Sequence, residues 1–183
     1  KPRVFRLTED HAIINHLGFN NFGIDYAEAK LAKLNLNTLS QGIVGINIGK
    51  NIDTQNSIDD YCIGLEKLGP LAHYVTINIS SPNTPGLRNL QNRDRLEVLI
   101  KSLHKRKNES SSLETKPLLL KIAPDMNEEQ LRDISLISLA SGIDGLIISN
   151  TTIDRSSSLK SRNKNEVGGL SGKPLFIKST LIL

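Results

Sequence analysis

The chain has 183 residues, 38% of them apolar and 23% charged, which is the composition of a globular domain large enough to bury a core. No apolar run approaches the ~20 residues of a membrane-spanning helix, and the lone Cys62 excludes an internal disulfide or a cysteine-based metal cluster. The net charge of +4 comes from 23 basic against 19 acidic residues, and the one basic run, Lys101 to Lys107, has no interleaved aromatics, so no nucleic-acid partner is expected.

Lys1-Pro-Arg-Val-Phe-Arg6 carries neither an initiating Met nor a signal-peptide core, so the chain is expected to begin within a longer protein. Residues 1 to 23 are dense in Asn and Gly and are read as irregular. Asp25 to Leu36 has the periodicity of a helix, with Asn35 to Gln41 as its polar exit. Ile43 to Ile48 reads as a short strand. A helix from Ser57 to Leu68 follows, with Cys62 on its apolar face and Gly69-Pro70 ending it through a left-handed cap. Tyr74 to Ile79 is β-branched and aromatic, a strand running into Ser80-Ser-Pro-Asn-Thr-Pro85. Arg93 to Lys107 is a helix whose basic residues lie on its solvated last turns, where they complement the macrodipole. Pro117 to Pro124 is a strand with Lys121 inside an apolar run. Asn127-Glu-Glu-Gln130 has capping-box spacing and opens a helix to Gly142. Gly145 to Ser149 is a fourth strand. A Ser/Lys/Arg/Asn-rich loop, Gly168-Gly-Leu-Ser-Gly-Lys-Pro174 and a final apolar segment complete the sequence.

Alternation of near-continuous apolar strands with amphipathic helices predicts an α/β fold with a parallel sheet. Each predicted strand carries a polar residue at or beside its C-terminal tip: Asn47, Asn78, Lys121 and Asn150. In α/β barrels the site is assembled at that end. Converging asparagines offer both donors and acceptors and suit a flat heterocycle such as a pyrimidine or a flavin. A lysine within a core strand suits a fixed cation that stabilises developing negative charge. Ser81 has no His or Asp nearby in the sequence, so a serine-hydrolase triad is not expected, whereas a hydroxyl that removes a carbon-bound proton is compatible. Taken singly, each Asn reads first as a satisfied turn residue, and a snorkelling edge lysine is the alternative reading of Lys121.

Together Arg3-Val-Phe-Arg-Leu7, Asn47-Ile-Gly-Lys-Asn51, Asn78-Ile-Ser-Ser-Pro-Asn-Thr-Pro-Gly-Leu-Arg88, Lys121-Ile-Ala-Pro-Asp125, Asn150-Thr-Thr152 and Gly168-Gly-Leu-Ser-Gly-Lys-Pro174 resemble the central part of class 2 dihydroorotate dehydrogenases. The resemblance implies a (β/α)8 barrel with four central βα units here, residues 1-183 forming a partial FMN-binding barrel domain whose first two and last two strands lie outside the sequence. It implies oxidation of dihydroorotate to orotate in pyrimidine biosynthesis, FMN as cofactor and a quinone as acceptor. Class 1 relatives place a cysteine where Ser81 stands, and the Ser-Ser-Pro-Asn form points to class 2. By resemblance Ser81 is the catalytic base; Asn15, Asn78, Asn83, Asn150 and Thr151 hold the orotate ring and Phe19 lies over it. Asn15, Asn47, Asn78, Lys121, Ser149, Asn150, Ser171 and Gly172 line the FMN. Membrane association through segments outside this sequence, at the mitochondrial inner membrane in a eukaryote, is also implied. A non-catalytic half-barrel, or another FMN barrel acting on pyrimidines, are the rival readings.

Overall fold

A computed structural model of the chain describes residues 2–34 and 42–183. Four strands, β3 (Gly45–Ile48), β4 (Tyr74–Asn78), β5 (Leu118–Lys121) and β6 (Gly145–Ile147), form a parallel sheet in sequential order, with helices α2 (Ser57–Leu68), α3 (Arg93–Asn108) and α4 (Glu128–Ser141) as the crossovers. Sequential parallel strands with helices on one side are one wall of an α/β barrel.

The register sorts the side chains. Ile46, Ile48, Val75, Ile77, Leu118 and Leu120 turn towards the helices, packing with Tyr61, Leu65, Leu96, Leu99, Ile134 and Ile137 in the main core. Side chains of this size contribute about 1.5–3 kcal/mol each when fully buried. The other face carries Gly45, Asn47, Tyr74, Thr76, Asn78, Leu119, Lys121 and Ile147, because paired residues of parallel strands point the same way. A Cβ at Gly45 would lie 2.1 Å from the Tyr74 ring, so any side chain there would have to displace that ring.

Three features depart from the sequence reading. Residues 1 to 23 are not wholly irregular: β1 (Val4–Leu7) and β2 (Ala12–Asn15) form an antiparallel hairpin, turned by Thr8–Asp10 and by His11 at φ 49°. The segment beginning at Gly168, to which the sequence reading assigned no element, contains β7 (Gly169–Gly172), which pairs antiparallel with β2, and the final apolar segment is α5 (Lys173–Leu181). Leu7, Ile14, Leu159 and Leu170 give this small sheet its own core. The cap after α2 is not left-handed either: Gly69 has φ −56° and continues into a single 3-10 turn. Glycine is needed there for space, since a Cβ would meet Leu113 at 2.6 Å. Helix α1 (Ile24–Leu31) starts one residue before the predicted helix and ends at Leu31, while Leu36 and the predicted exit from Asn35 to Gln41 fall outside the described residues. The capping box at Asn127 is present with both of its hydrogen bonds, Cys62 is buried in the core, and near the end of α3 Lys105 pairs with Glu109 and Arg106 with Glu66 of α2. No helix among the described residues is long and apolar enough to cross a membrane.

Candidate active site

The strand tips and the loops that follow them converge on the segment after β4. Asn78 is its last strand residue, 3% exposed, and stands directly opposite Lys121 on β5. Its main-chain oxygen accepts from the buried Tyr61 hydroxyl at 2.7 Å. Its side-chain Oδ1 accepts from Ser80 N at 3.2 Å and from Ser80 Oγ at 2.8 Å. Ser80 Oγ in turn accepts from Asn150 Nδ2 at 3.0 Å, and Asn150 Oδ1 accepts from Thr151 N at 2.9 Å. Ser80, fully buried, thereby joins the ends of β4 and β6. The sequence reading singled out its neighbour Ser81 and gave Ser80 no role; the value of Ser80 comes from facing inward.

Ser81 is 8% exposed, and its Oγ accepts from Asn83 N at 3.3 Å. Among the described residues no carboxylate or imidazole hydrogen-bonds this oxygen. Asn83 Nδ2 crosses to the hairpin, donating to Leu17 O at 2.7 Å, Asn15 Oδ1 at 3.2 Å and Asn15 O at 3.3 Å. Asn15 also donates to Gly169 O at 3.4 Å. The antiparallel sheet is thus fastened over the loop that bears Ser81. A Cβ at Gly49 would lie 3.0 Å from the Phe19 ring and 3.6 Å from Asn78 O, so Phe19 covers the end of β3 beside Asn78.

Asn15 and Asn150 have both ends of their amides engaged by protein. Asn78 and Asn83 are held by one end only. Asn78 Nδ2, Asn83 Oδ1 and Lys121 Nζ make no hydrogen bond or ion pair among the described residues. Lys121 is half-buried as a residue, and neither its Nζ nor Asn78 Nδ2 is sealed from solvent, so both donors are open to a ligand. Asn47 is exposed on the same face, level with Thr76 and two residues short of Asn78.

Ser149 Oγ donates to Asn150 O at 3.0 Å, and Thr151 is packed against Gly169. Ser171 and Gly172 are not gathered with Ser81. They stand two and three residues beyond Gly169 on β7, about 7 and 10 Å along the strand. There they line a separate groove of about 360 Å³ with Arg6, His11 and Ile13.

The sequence reading did not single out the ionic cluster behind the site. Arg88 meets Asp125, which also accepts from Thr152 Oγ1, Ile153 N and Lys178 Nζ. Burial pushes the Asp125 carboxyl up, but the hydrogen bonds from Lys178, Thr152, Ile153 and Arg88 outweigh it and hold the carboxyl below its ordinary value. Arg155 braces the next loop, donating to Glu166 O at 3.0 Å and Gly168 O at 2.7 Å.

A parallel α/β barrel wall, with a polar site at the carboxyl ends of its strands and a small antiparallel sheet clasped over it, defines the class of fold. The sequence model of the family described as Dihydroorotate dehydrogenase matches residues 1–182, and the chain belongs to that family. It is 49% identical over 185 residues to a dihydroorotate dehydrogenase (quinone) of Brucella anthropi and 51% identical over 185 residues to one of Allorhizobium ampelinum, covering all of this chain and 50% of each relative. The ligand-free dihydroorotate dehydrogenase structure from Eimeria tenella matches the whole chain with a TM-score of 0.92 and 44% identity, over 55% of that chain. The same enzyme in complex with ferulenol matches with a TM-score of 0.92 and 43% identity, over 54% of its chain. The chain therefore spans about half the length of the proteins it resembles, and its barrel wall is part of a (β/α)8 barrel.

Proposed function

We propose that these residues carry the substrate-facing part of an enzyme that oxidises dihydroorotate to orotate, with FMN as its cofactor and a quinone as final acceptor. The carrying observation is the grouping of Ser81 with the half-engaged Asn78 and Asn83 and the unpartnered Lys121. The barrel strands expected on either side of this sequence would complete the site.

FMN fits the residues present. Lys121 and Asn78 are cross-strand neighbours whose Nζ and Nδ2 have no protein partners among the described residues, and Asn47 lies on the same face, as the edge of a flat ring bearing carbonyls would require. When bound, FMN supplies the two-electron acceptor for the hydride that leaves C6 of dihydroorotate. Asn78 and Lys121 would hold it, with Asn15, Asn47, Ser149, Asn150, Ser171 and Gly172 as further candidates, the last two at the far end of β7.

Ser81 Oγ takes the proton from C5 of dihydroorotate. The Asn83 amide aimed at Oγ occupies one acceptor site and favours the oxygen as it gains negative charge. Oγ can thus take the C5 proton while its own hydroxyl proton passes to solvent water, and the C5–H electron pair becomes the second bond between C5 and C6 as the hydride leaves C6. Asn83 Oδ1 and Asn78 Nδ2 offer an acceptor and a donor to the substrate ring, while Asn15, Asn150 and Thr151 fix them or add contacts. Phe19 shields the ring from water. Several relatives named as quinone enzymes are bacterial, so we carry forward membrane association of the whole protein rather than a mitochondrial address.

The test is Ser81→Ala in the full-length protein, followed by anaerobic flavin bleaching with dihydroorotate. Loss of a general base should slow reduction by about 10²–10⁴-fold. An undiminished rate removes Ser81 from this role.

A further inference from the structure

Arg88 lies in the 3-10 turn Leu87–Gln91, which Gly86 turns into position with φ +73°. Its guanidinium reaches three separate strand-end loops. Nε donates to Ser80 O at 3.1 Å after β4, Nη1 to Asp125 Oδ2 at 2.9 Å after β5, and Nη2 to Thr151 O at 3.1 Å after β6. The Arg88 side chain is 21% exposed and that of Asp125 is 10% exposed, so these contacts are largely shielded from water. Gln91, also buried, secures the end of the turn by accepting from Ala123 N at 2.9 Å.

The choice of acceptors is informative. Ser80 O belongs to the peptide plane that leads into Ser81, and Thr151 O belongs to the residue after Asn150. Ser80 is held on its side-chain face by Asn78 and Asn150 and on its carbonyl face by Arg88. Among the described residues Ser81 has only the Asn83 amide. Its placement is inherited from the preceding peptide.

We propose that Arg88 is a positioning residue for the base, a planar fork that sets the Ser80–Ser81 peptide and ties it to the Asn150–Thr151 loop; this rests on the reading of Ser81 given above. A lysine cannot substitute, because a single ammonium on a flexible stem does not span three acceptors in one plane. Misplacing a reacting group by about 1 Å costs on the order of 10²-fold in rate. The loss should therefore fall on the proton-transfer step, not on ligand affinity.

The experiment uses the full-length, FMN-loaded protein with Arg88→Ala, Arg88→Lys and Ser81→Ala side by side. Three quantities are measured: the anaerobic flavin reduction rate at saturating dihydroorotate, the orotate dissociation constant from the flavin absorbance change, and the reduction rate of Arg88→Ala with added guanidinium. Both Arg88 variants should reduce flavin about 10–100-fold more slowly while orotate affinity changes by less than about threefold. Guanidinium should restore part of the Arg88→Ala rate. A slow Ser81→Ala with a normal Arg88→Ala rate, or full activity in Arg88→Lys, overturns the positioning role alone. Equal losses of rate and affinity without guanidinium rescue also overturn it, because they mark a general structural defect. A normal Ser81→Ala rate instead overturns the base assignment, and the Arg88 proposal with it. If Arg88→Ala does not accumulate as holoenzyme, Arg88→Lys decides by the same rate and affinity comparison.

Discussion

Replacing Gly169 by Ala tests how tightly the two sheets close over the site. The added methyl would lie 2.0 Å from Thr151 Oγ1, 2.7 Å from Thr151 Cβ and 3.3 Å from Pro82 Cγ. Non-bonded carbon atoms settle near 3.5–4.0 Å, so Thr151 must retreat by roughly 1 Å or more. Rotating its side chain cannot relieve the contact with Cβ, and Arg88 holds its main-chain oxygen at 3.1 Å. The strain therefore passes to the backbone, at the upper end of the ~1–3 kcal/mol typical of overpacking. Urea unfolding of the full-length protein should show a loss of about 3 kcal/mol for Gly169→Ala. In a Thr151→Gly background the same substitution meets chiefly Pro82 and should cost less than about 1 kcal/mol, giving a coupling of about 2 kcal/mol. Additive effects would refute the contact as the source of the strain.

Two further predictions concern the groups that support the site. Tyr61→Phe removes the donor to Asn78 O and leaves a buried carbonyl short of a partner, which should cost about 1–3 kcal/mol in the same unfolding assay. Burial pushes the Tyr61 phenol well above its ordinary 10, so the wild type should lose stability as pH rises past 10, where the unfolded phenol ionises. Comparing the alkaline pH dependence of the two proteins checks the sign, and identical slopes would contradict it. Asp125 has its carboxyl lowered from the ordinary 3.8, so its contribution is present above that value and is lost as pH falls through the lower folded-state value. Asp125→Asn should be less stable near neutrality and show a shallower loss of stability in acid below 3.8; an unchanged acid profile would show that the network is not coupled to folding.

Much of the parallel wall was legible because its signals are local. Tyr74 to Ile77 and Leu118 to Leu120 are near-continuous apolar runs, and Asn127 to Gln130 writes a cap in four residues. Asn78 and Lys121 stood out because each interrupts a core strand, and the register places them opposite each other. The antiparallel sheet was not legible. Its strands are four residues long, Asn and Gly crowd the neighbouring sequence, and the partner that makes Ala12–Asn15 a central strand comes from Gly169–Gly172. Gly69 misled because glycine after a helix usually signals handedness, whereas here it answers the nearness of Leu113. Arg88 and Ser80 carry no local mark at all, since their importance lies in acceptors and donors brought in from other loops.

The clasp formed by β2 and β7 also has a consequence for the order of assembly. Asn15 and Gly169 are 154 residues apart, so joining them in an otherwise unfolded chain carries a loop-closure entropy cost of roughly 4–5 kcal/mol. Four-residue strands repay little of that alone. Once the parallel wall has drawn the intervening chain together, most of the cost has already been met by its own larger core. Asn83 therefore meets Asn15 only in a molecule whose wall already stands, and the site is complete no earlier than the fold that carries it.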